Sequence, residues 1–142
     1  MRNSIFTIVT LVLVFLMSGF AQAQNVSLEV KMTGFKNDTG KVKVGLYDSE
    51  FSFLKTIYKS AAVDIKSGTA SVVFKDVPKG TYAISVYHDE NSNGALDRNG
   101  FGIPTEGYGT SNDAKGFMGP PSFEDAKFIV NANSKTSITI HY

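Results

Sequence analysis

The chain has no cysteine, and that absence removes two explanations at once. No disulfide can staple the fold, although an exported protein is free to form them. Zinc favours Cys and His ligands, and only His88 and His141 are on offer. Charge of one sign is missing too: fourteen Lys and Arg stand against thirteen Asp and Glu. So balanced a chain carries no footprint for nucleic acid or for an anionic lipid surface. The motifs of nucleophilic catalysis and phosphate cradling are absent: there is no nucleophile elbow, no Ser-His-Asp order and no P-loop. The segment GFGIPTEG, residues 101–107 with the preceding glycine, neither follows a strand directly nor opens a helix. Internal repeats and dividing linkers are lacking as well. Stability must come from packing, hydrogen bonds or a bound ion.

What is present starts with a targeting segment. Arg2 supplies a short basic region, and Ile5 to Met17 is apolar except for Thr7 and Thr10. Ala21-Gln22-Ala23 has the small-x-small form of a cleavage site. Residues 1–23 are therefore expected to be a secretory signal peptide. The apolar run is shorter than the roughly 20 residues that a membrane-spanning helix needs, so cleavage is expected rather than anchoring. The mature chain would be residues 24–142, 119 residues forming one domain, with no membrane span left after cleavage. Its expected location is periplasmic or extracellular.

From Gln24 on, period-two alternation dominates, as half-buried strands require. Val26, Leu28, Val30 and Met32 point one way, and Val42, Val44 and Leu46 repeat the pattern. Ser49 stands where a short helix over SEFSFLKTIYKS would be capped, but its β-branched and aromatic residues speak against a helix. Ala61 to Ile65 and then Ala70, Val72 and Phe74 read as strands. Pro78-Lys79-Gly80 fits a type I turn. Tyr82, Ile84, Val86 and His88 share one face of the next strand, and His88 reads as a packed strand-end residue. AKFIV and TSITIHY close the chain. The expectation is an all-β fold, an antiparallel sandwich of about seven strands, prealbumin-like or Ig-like, with one long irregular loop. An outer-membrane barrel is the rival, since the last strand ends on aromatic Tyr142. Such barrels need strands of about 9–11 residues, and most strands here read as shorter.

The loop spans residues 89–125, 37 residues against the roughly 12–15 beyond which unstructured loops are uncommon. Phe101, Ile103, Tyr108, Phe117, Met118 and Phe123 give it apolar mass to lie against the sandwich, and its glycines permit tight turns. It holds seven acids and two bases, a net charge of −5. Such a concentration of like charge calls for an offset. Calcium takes six to eight oxygen ligands, and alternate Asp and Asn around a Gly turn supply them. With Asp89 as position one, Asn91, Asn93, the Ala95 carbonyl and Asp97 keep the register of an EF-hand loop, with Gly94 at the turn. Gly100 stands where the closing Glu is required, and Glu106 is the candidate to replace it. The bland alternative is that Asn-Ser-Asn-Gly is simply a favourable turn.

A second group of candidates would bind an organic ligand. Phe101 and Tyr108 lie among amides and carboxylates, as a sugar or peptide site would need. Phe117 and Phe123 read instead as rings that pin the loop down. An enzymatic alternative is a small glycosidase-like hydrolase with Asp97 and Glu106 as its carboxylate pair.

FKDVPKGTYAISVYHDENSNG resembles the strand-turn-strand of prealbumin-like and collagen-adhesin B-type sandwiches. A broader resemblance rests on VGLYDSE, VPKGTYAISVYHDENSNGALD, FGIPTEGYGTSNDAKGFMGPPSFEDAKF and the terminal strand. These are similar to a family of small exported bacterial proteins known as domain of unknown function 2141. The resemblance implies export and a β-sandwich, and it implies no activity. The functional expectation is an exported, non-enzymatic binding or scaffolding domain. Its partner, a ligand or a protein, would meet the face of the loop 89–125, with calcium as the stabilising ion.

Overall fold

The computed structural model describes residues 24–142, so the expected signal peptide lies outside the described residues. Eight strands follow in order: β1 (Asn25–Thr33), β2 (Lys41–Tyr47), β3 (Lys59–Val63), β4 (Thr69–Pro78), β5 (Gly80–Asp89), β6 (Tyr108–Thr110), β7 (Phe128–Val130) and β8 (Ser134–Thr139). They make two packed sheets, one ordered β4-β1-β8 and one ordered β3-β2-β5-β6, with β7 pairing with the start of β5. The fold is an all-β sandwich, as expected. Among the described residues, no helix is long and apolar enough to cross a membrane.

The alternating positions account for the interior. Leu28, Val30 and Met32 of β1, Val42, Val44 and Leu46 of β2, and Ile84 and Val86 of β5 are all buried in one cluster. Fully burying such a side chain contributes about 1.5–3 kcal/mol. Leu46→Ala would cost about 2–5 kcal/mol through lost transfer and a cavity. Tyr82 adds a polar anchor to this core. Its hydroxyl donates to the Pro78 carbonyl at 2.8 Å, four residues upstream. Pro78-Lys79-Gly80 is consequently a corner, not a hairpin turn: β4 belongs to the small sheet and β5 to the large one.

Three features differ from the expectation. The sandwich is not wholly antiparallel, because β1 and β8 run parallel from Leu28↔Ser134 to Thr33↔Thr139. Both pairings show the same period of two, so alternation alone does not distinguish them. The strand count is eight because the loop contains β6. The loop is also less irregular than expected. Asp89 is the last residue of β5, paired with Lys41, and a 3-10 turn at Ser111–Asp113 precedes a one-turn helix, α1 (Phe123–Ala126). Ser122 caps that helix by accepting from the Asp125 N–H. No helix forms after Ser49. Its carbonyl accepts from the Phe53 N–H, and Leu54 takes a positive φ of 57° that ends the turn.

A second, small cluster lies on the outer face of the large sheet. Tyr47 and Ala83 are covered there by Phe53, Phe123 and Ala126. Phe53 meets Tyr47 and Phe123 edge-on, with centroids 5.4 and 5.8 Å apart. This cluster fixes the far end of the loop on the sheet. The near end is fixed differently.

The two long sides of the sandwich also differ. On one, the tail after β8 crosses between the sheets: Ile140 N–H donates to Thr33, and His141 exchanges both backbone bonds with Tyr108 of β6. On the other, β3 and β4 end their sheets with no further strand beside them.

Candidate functional site

The near half of the loop is built around two buried carboxylates. Asp89 is 1% exposed at the end of β5. One of its oxygens accepts from the Asn93 N–H at 3.0 Å, the other from the Gly94 N–H at 2.9 Å. The turn between them needs a left-handed residue, and Gly94 has φ 82°. The Tyr87 hydroxyl donates to the Gly94 carbonyl, and the Lys43 ammonium lies 3.8 Å from Asp89. Both come from the outer face of the large sheet, on which Tyr87 and Asp89 alternate by the period of two.

Glu106, 5% exposed, closes the segment. It accepts from the Glu90 N–H at 2.9 Å and from the Asp97 N–H at 3.0 Å. One side chain therefore ties together the two ends of the 90–97 turn. Gly107 follows because the tail approaches there: a Cβ would sit 2.5 Å from the Tyr142 ring.

The remaining candidates complete one network. Asn91 accepts from the Asn93 N–H, and Asn93 from the Ala95 N–H. Their carboxamide N–H groups both point at Asp97, at 2.6 and 2.8 Å from its two oxygens. All six positions of the calcium expectation, Asp89, Asn91, Asn93, Ala95, Asp97 and Glu106, thus belong to one hydrogen-bonded knot. Among the described residues, no three Asp, Glu or His side chains are grouped to hold a metal by themselves. An ion here would depend on amide and carbonyl oxygens as well as carboxylates.

Beyond Asp97 the chain makes a tight hairpin. Asn99 accepts from Phe101 and Ile103 N–H groups, and Arg98 donates to the Gly102 carbonyl. Phe101 stands at its tip, 92% exposed. Tyr108 is 41% exposed, so both organic-ligand candidates reach solvent. The reading of the two phenylalanine pins holds for one of them. Phe123 packs on Phe53, whereas Phe117 is 93% exposed beside an equally exposed Met118. Met118 takes φ 55° between glycines and prolines, a path that leaves both side chains no sheet to lie on.

Sequence reasoning did not find the groups that brace the knot from outside. His88 is fully buried, with Nε2 2.6 Å from the Thr39 carbonyl and Nδ1 2.6 Å from the Tyr142 hydroxyl. A carbonyl only accepts, so Nε2 carries a proton, and in the neutral ring Nδ1 is then the acceptor for the Tyr142 hydroxyl. The Tyr142 oxygen also accepts from the Lys36 N–H, and the Lys36 ammonium pairs with Glu90 at 2.9 Å. Burial pushes the Glu90 carboxyl up, but Lys36 and Asn37 more than offset this and hold it below its ordinary value. Glu90 in turn raises Lys36. At the other end of the tail, His141 sits 2.7 Å from Asp113 and holds that carboxyl low. The only signal for Tyr87 was its parity with Asp89 along one strand, and Lys43 joins them through the register of β2 on β5. The alternation of the last strand ended on Tyr142 but did not point to His88 as its partner.

Two shallow grooves lie elsewhere on the molecule. One of about 360 Å³ is lined by Lys43, Ile57, Ser60, Ser85 and Tyr87 on the outer sheet face. The other, about 680 Å³, runs beside β4 and the end of β3. Neither is lined by Asp97 or Glu106.

A family model described as an uncharacterized protein conserved in bacteria, domain of unknown function 2141, matches residues 30–139. The chain belongs to that family. No curated protein and no solved structure matches it.

Proposed function

We propose that this family member is an exported, non-enzymatic binding or scaffolding domain whose working face is the loop 89–125, set in shape by a calcium ion. The observation that carries the reading is the single knot that joins Asp89, Asn91, Asn93, Ala95, Asp97 and Glu106. Two carboxamide N–H groups converge on Asp97 and donate hydrogen bonds to it, but they bring it no positive charge. Calcium would supply the missing positive charge, with the Asn91 and Asn93 oxygens, the Ala95 carbonyl and the carboxylates as its ligands. Phe101 and Tyr108, both exposed on the same loop, would then offer rings to a sugar or peptide. The glycosidase-like alternative has no comparable support. Both Glu106 oxygens are engaged with backbone amides, and the carboxyl is buried.

The test is a thermal melt of the mature chain in EDTA, in calcium and in magnesium. Extracellular calcium modules bind with Kd of about 10⁻⁴–10⁻³ M, so roughly 5 mM calcium would stabilise by about 1–2.3 kcal/mol. That is a rise of about 3–8 °C for a domain of this size. Magnesium should do much less, because it demands octahedral geometry and dehydrates reluctantly. Asp97→Asn should abolish the calcium shift, since it removes a charge while keeping the shape. Identical melts of the unmutated chain in EDTA and calcium would remove the ion from the reading. The knot would then be a self-capped turn.

A further inference from the structure

The open side of the sandwich carries a pairing edge. Thr69 exchanges both backbone bonds with Lys66 across the turn at Ser67 and Gly68. Thr69 therefore points its N–H and C=O away from β1, and alternate residues do the same. Ser71, Val73 and Lys75 follow with that orientation. The Lys75 carbonyl confirms it, because Lys59 of β3 donates to it at 2.9 Å. The backbone groups of Ser71 and Val73 have no partner among the described residues.

Proteins usually blunt such an edge with a charge, a proline or a bulge. From Thr69 to Phe74, TASVVF, there is none of these. Those devices come only at the end of β4, where Lys75, Asp76 and Pro78 follow, the register with β1 shifts past Phe74, and Asp76 takes a φ of 54°. Regular pairing with β1 runs from Thr69 to Phe74, and Val72 is the midpoint of the two outward residues left free, Ser71 and Val73. The 680 Å³ groove beside this edge is lined by two acids, Glu29 and Asp64, and two bases, Lys31 and Lys66. Its charges cancel, which disfavours a strongly acidic or basic partner and permits a copy of the same surface.

We propose that two copies of this chain pair antiparallel along β4, about a two-fold axis through Val72. Outer-face residues must meet outer-face residues across such an axis, so paired positions sum to an even number. Centring on Val72 sets Ser71 opposite the second copy's Val73, and Val73 opposite its Ser71. Both residues present N–H and C=O, so four backbone hydrogen bonds form. The two three-stranded sheets become one of six strands. The contact is smaller than the roughly 1,600 Å² of a standard interface, so the dimer is weak.

Sedimentation of the mature chain should show monomer at about 10 μM and mostly dimer at about 1 mM, the range expected of a small contact. The decisive pair of variants differs at one residue. S71E/V73E sets acid against acid across the seam and should stay monomeric at about 1 mM. S71E/V73K sets acid against base and should dimerise at least as well as the unmutated chain. Within one copy, position 71 lies beside Lys31 and position 73 beside Glu29, so S71E/V73K also suits its own sheet. Exchange of the Ser71 and Val73 amides in the unmutated chain should slow as concentration rises. An unmutated chain that is monomeric at about 1 mM overturns the proposal. So does a dimer indifferent to S71E/V73E, or one that S71E/V73K fails to form.

Discussion

The two halves of the loop 89–125 reverse the usual assignment of acids to the surface and aromatic rings to the interior. In the first half, Asp89 and Glu106 are buried and hold four backbone N–H groups between them. In the second half, Phe117 and Met118 stand almost wholly in water, while the sheet is touched by β6, by Ser111 and by Phe123 with its neighbours. The difference teaches which forces shape each half. The first is a turn specified by hydrogen bonds from backbone N–H groups to carboxylate oxygens, which are about twice as strong as neutral ones. The second is anchored at the Ser111–Asp113 turn and at α1, and the stretch between them contributes little.

The sharpest way to break this contrast is Asp89→Ala. The substitution leaves the Gly94 N–H without its acceptor, leaves the Asn93 N–H only the Asn91 side chain, and strands Lys43 beside the gap. A hydrogen bond to a charged group contributes about 1.5–3 kcal/mol, so losing the two from Asn93 and Gly94 at a partly exposed turn is expected to cost about 2–4 kcal/mol. The melting temperature should fall by about 8–16 °C, measured in EDTA so that no ion contributes. A fall under about 3 °C would mean that water replaces the carboxylate, and that the first half is no better specified than the second.

A smaller loss should follow Tyr142→Phe, which reaches the first half from outside. The ring and its contact with Gly107 stay, and only the hydroxyl goes. His88 Nδ1 then has no donor, and it is too buried to find water. The expected cost is about 1–2 kcal/mol. His88→Phe in the same background tests the assignment. If the penalty comes from the orphaned nitrogen, the two substitutions together should cost less than their sum, a non-additivity that a double-mutant cycle measures.

These cases also mark what could be read before the fold was known. The core was legible because Leu28, Val30 and Met32, or Ile84 and Val86, alternate without interruption. The knot was legible as spacing, since Asp89, Asn91, Asn93 and Asp97 lie within one turn of chain. Glu106 was legible only as a guess about closure. Its partners, the N–H groups of Glu90 and Asp97, are backbone atoms that no residue type announces. The parallel pairing of β1 with β8 and the crossing of the tail to β6 join residues more than a hundred positions and about thirty positions apart. Local pattern carries no information about such distant partners. Phe117 was misjudged for a related reason. Apolar composition says that a ring favours burial, but the path of Gly116 to Pro121 decides whether a surface lies within its reach.

The smallest effect expected is at that misjudged pair. Phe117→Ser with Met118→Asn removes two large apolar side chains, which in a core would cost several kcal/mol. Here neither side chain loses contacts, because both are already in water. Met118 moreover occupies the left-handed region at φ 55°, which Asn tolerates better than Met. The change in stability should stay within about 0.5 kcal/mol, or about 2–3 °C in a melt of the monomer at low concentration. A drop above about 1 kcal/mol would show that the second half packs in solution as firmly as the first, and the contrast between the halves would fail. An unchanged melt, beside the large loss for Asp89→Ala, would leave the acids as the residues that shape the loop and the rings as the part of it free to meet something else.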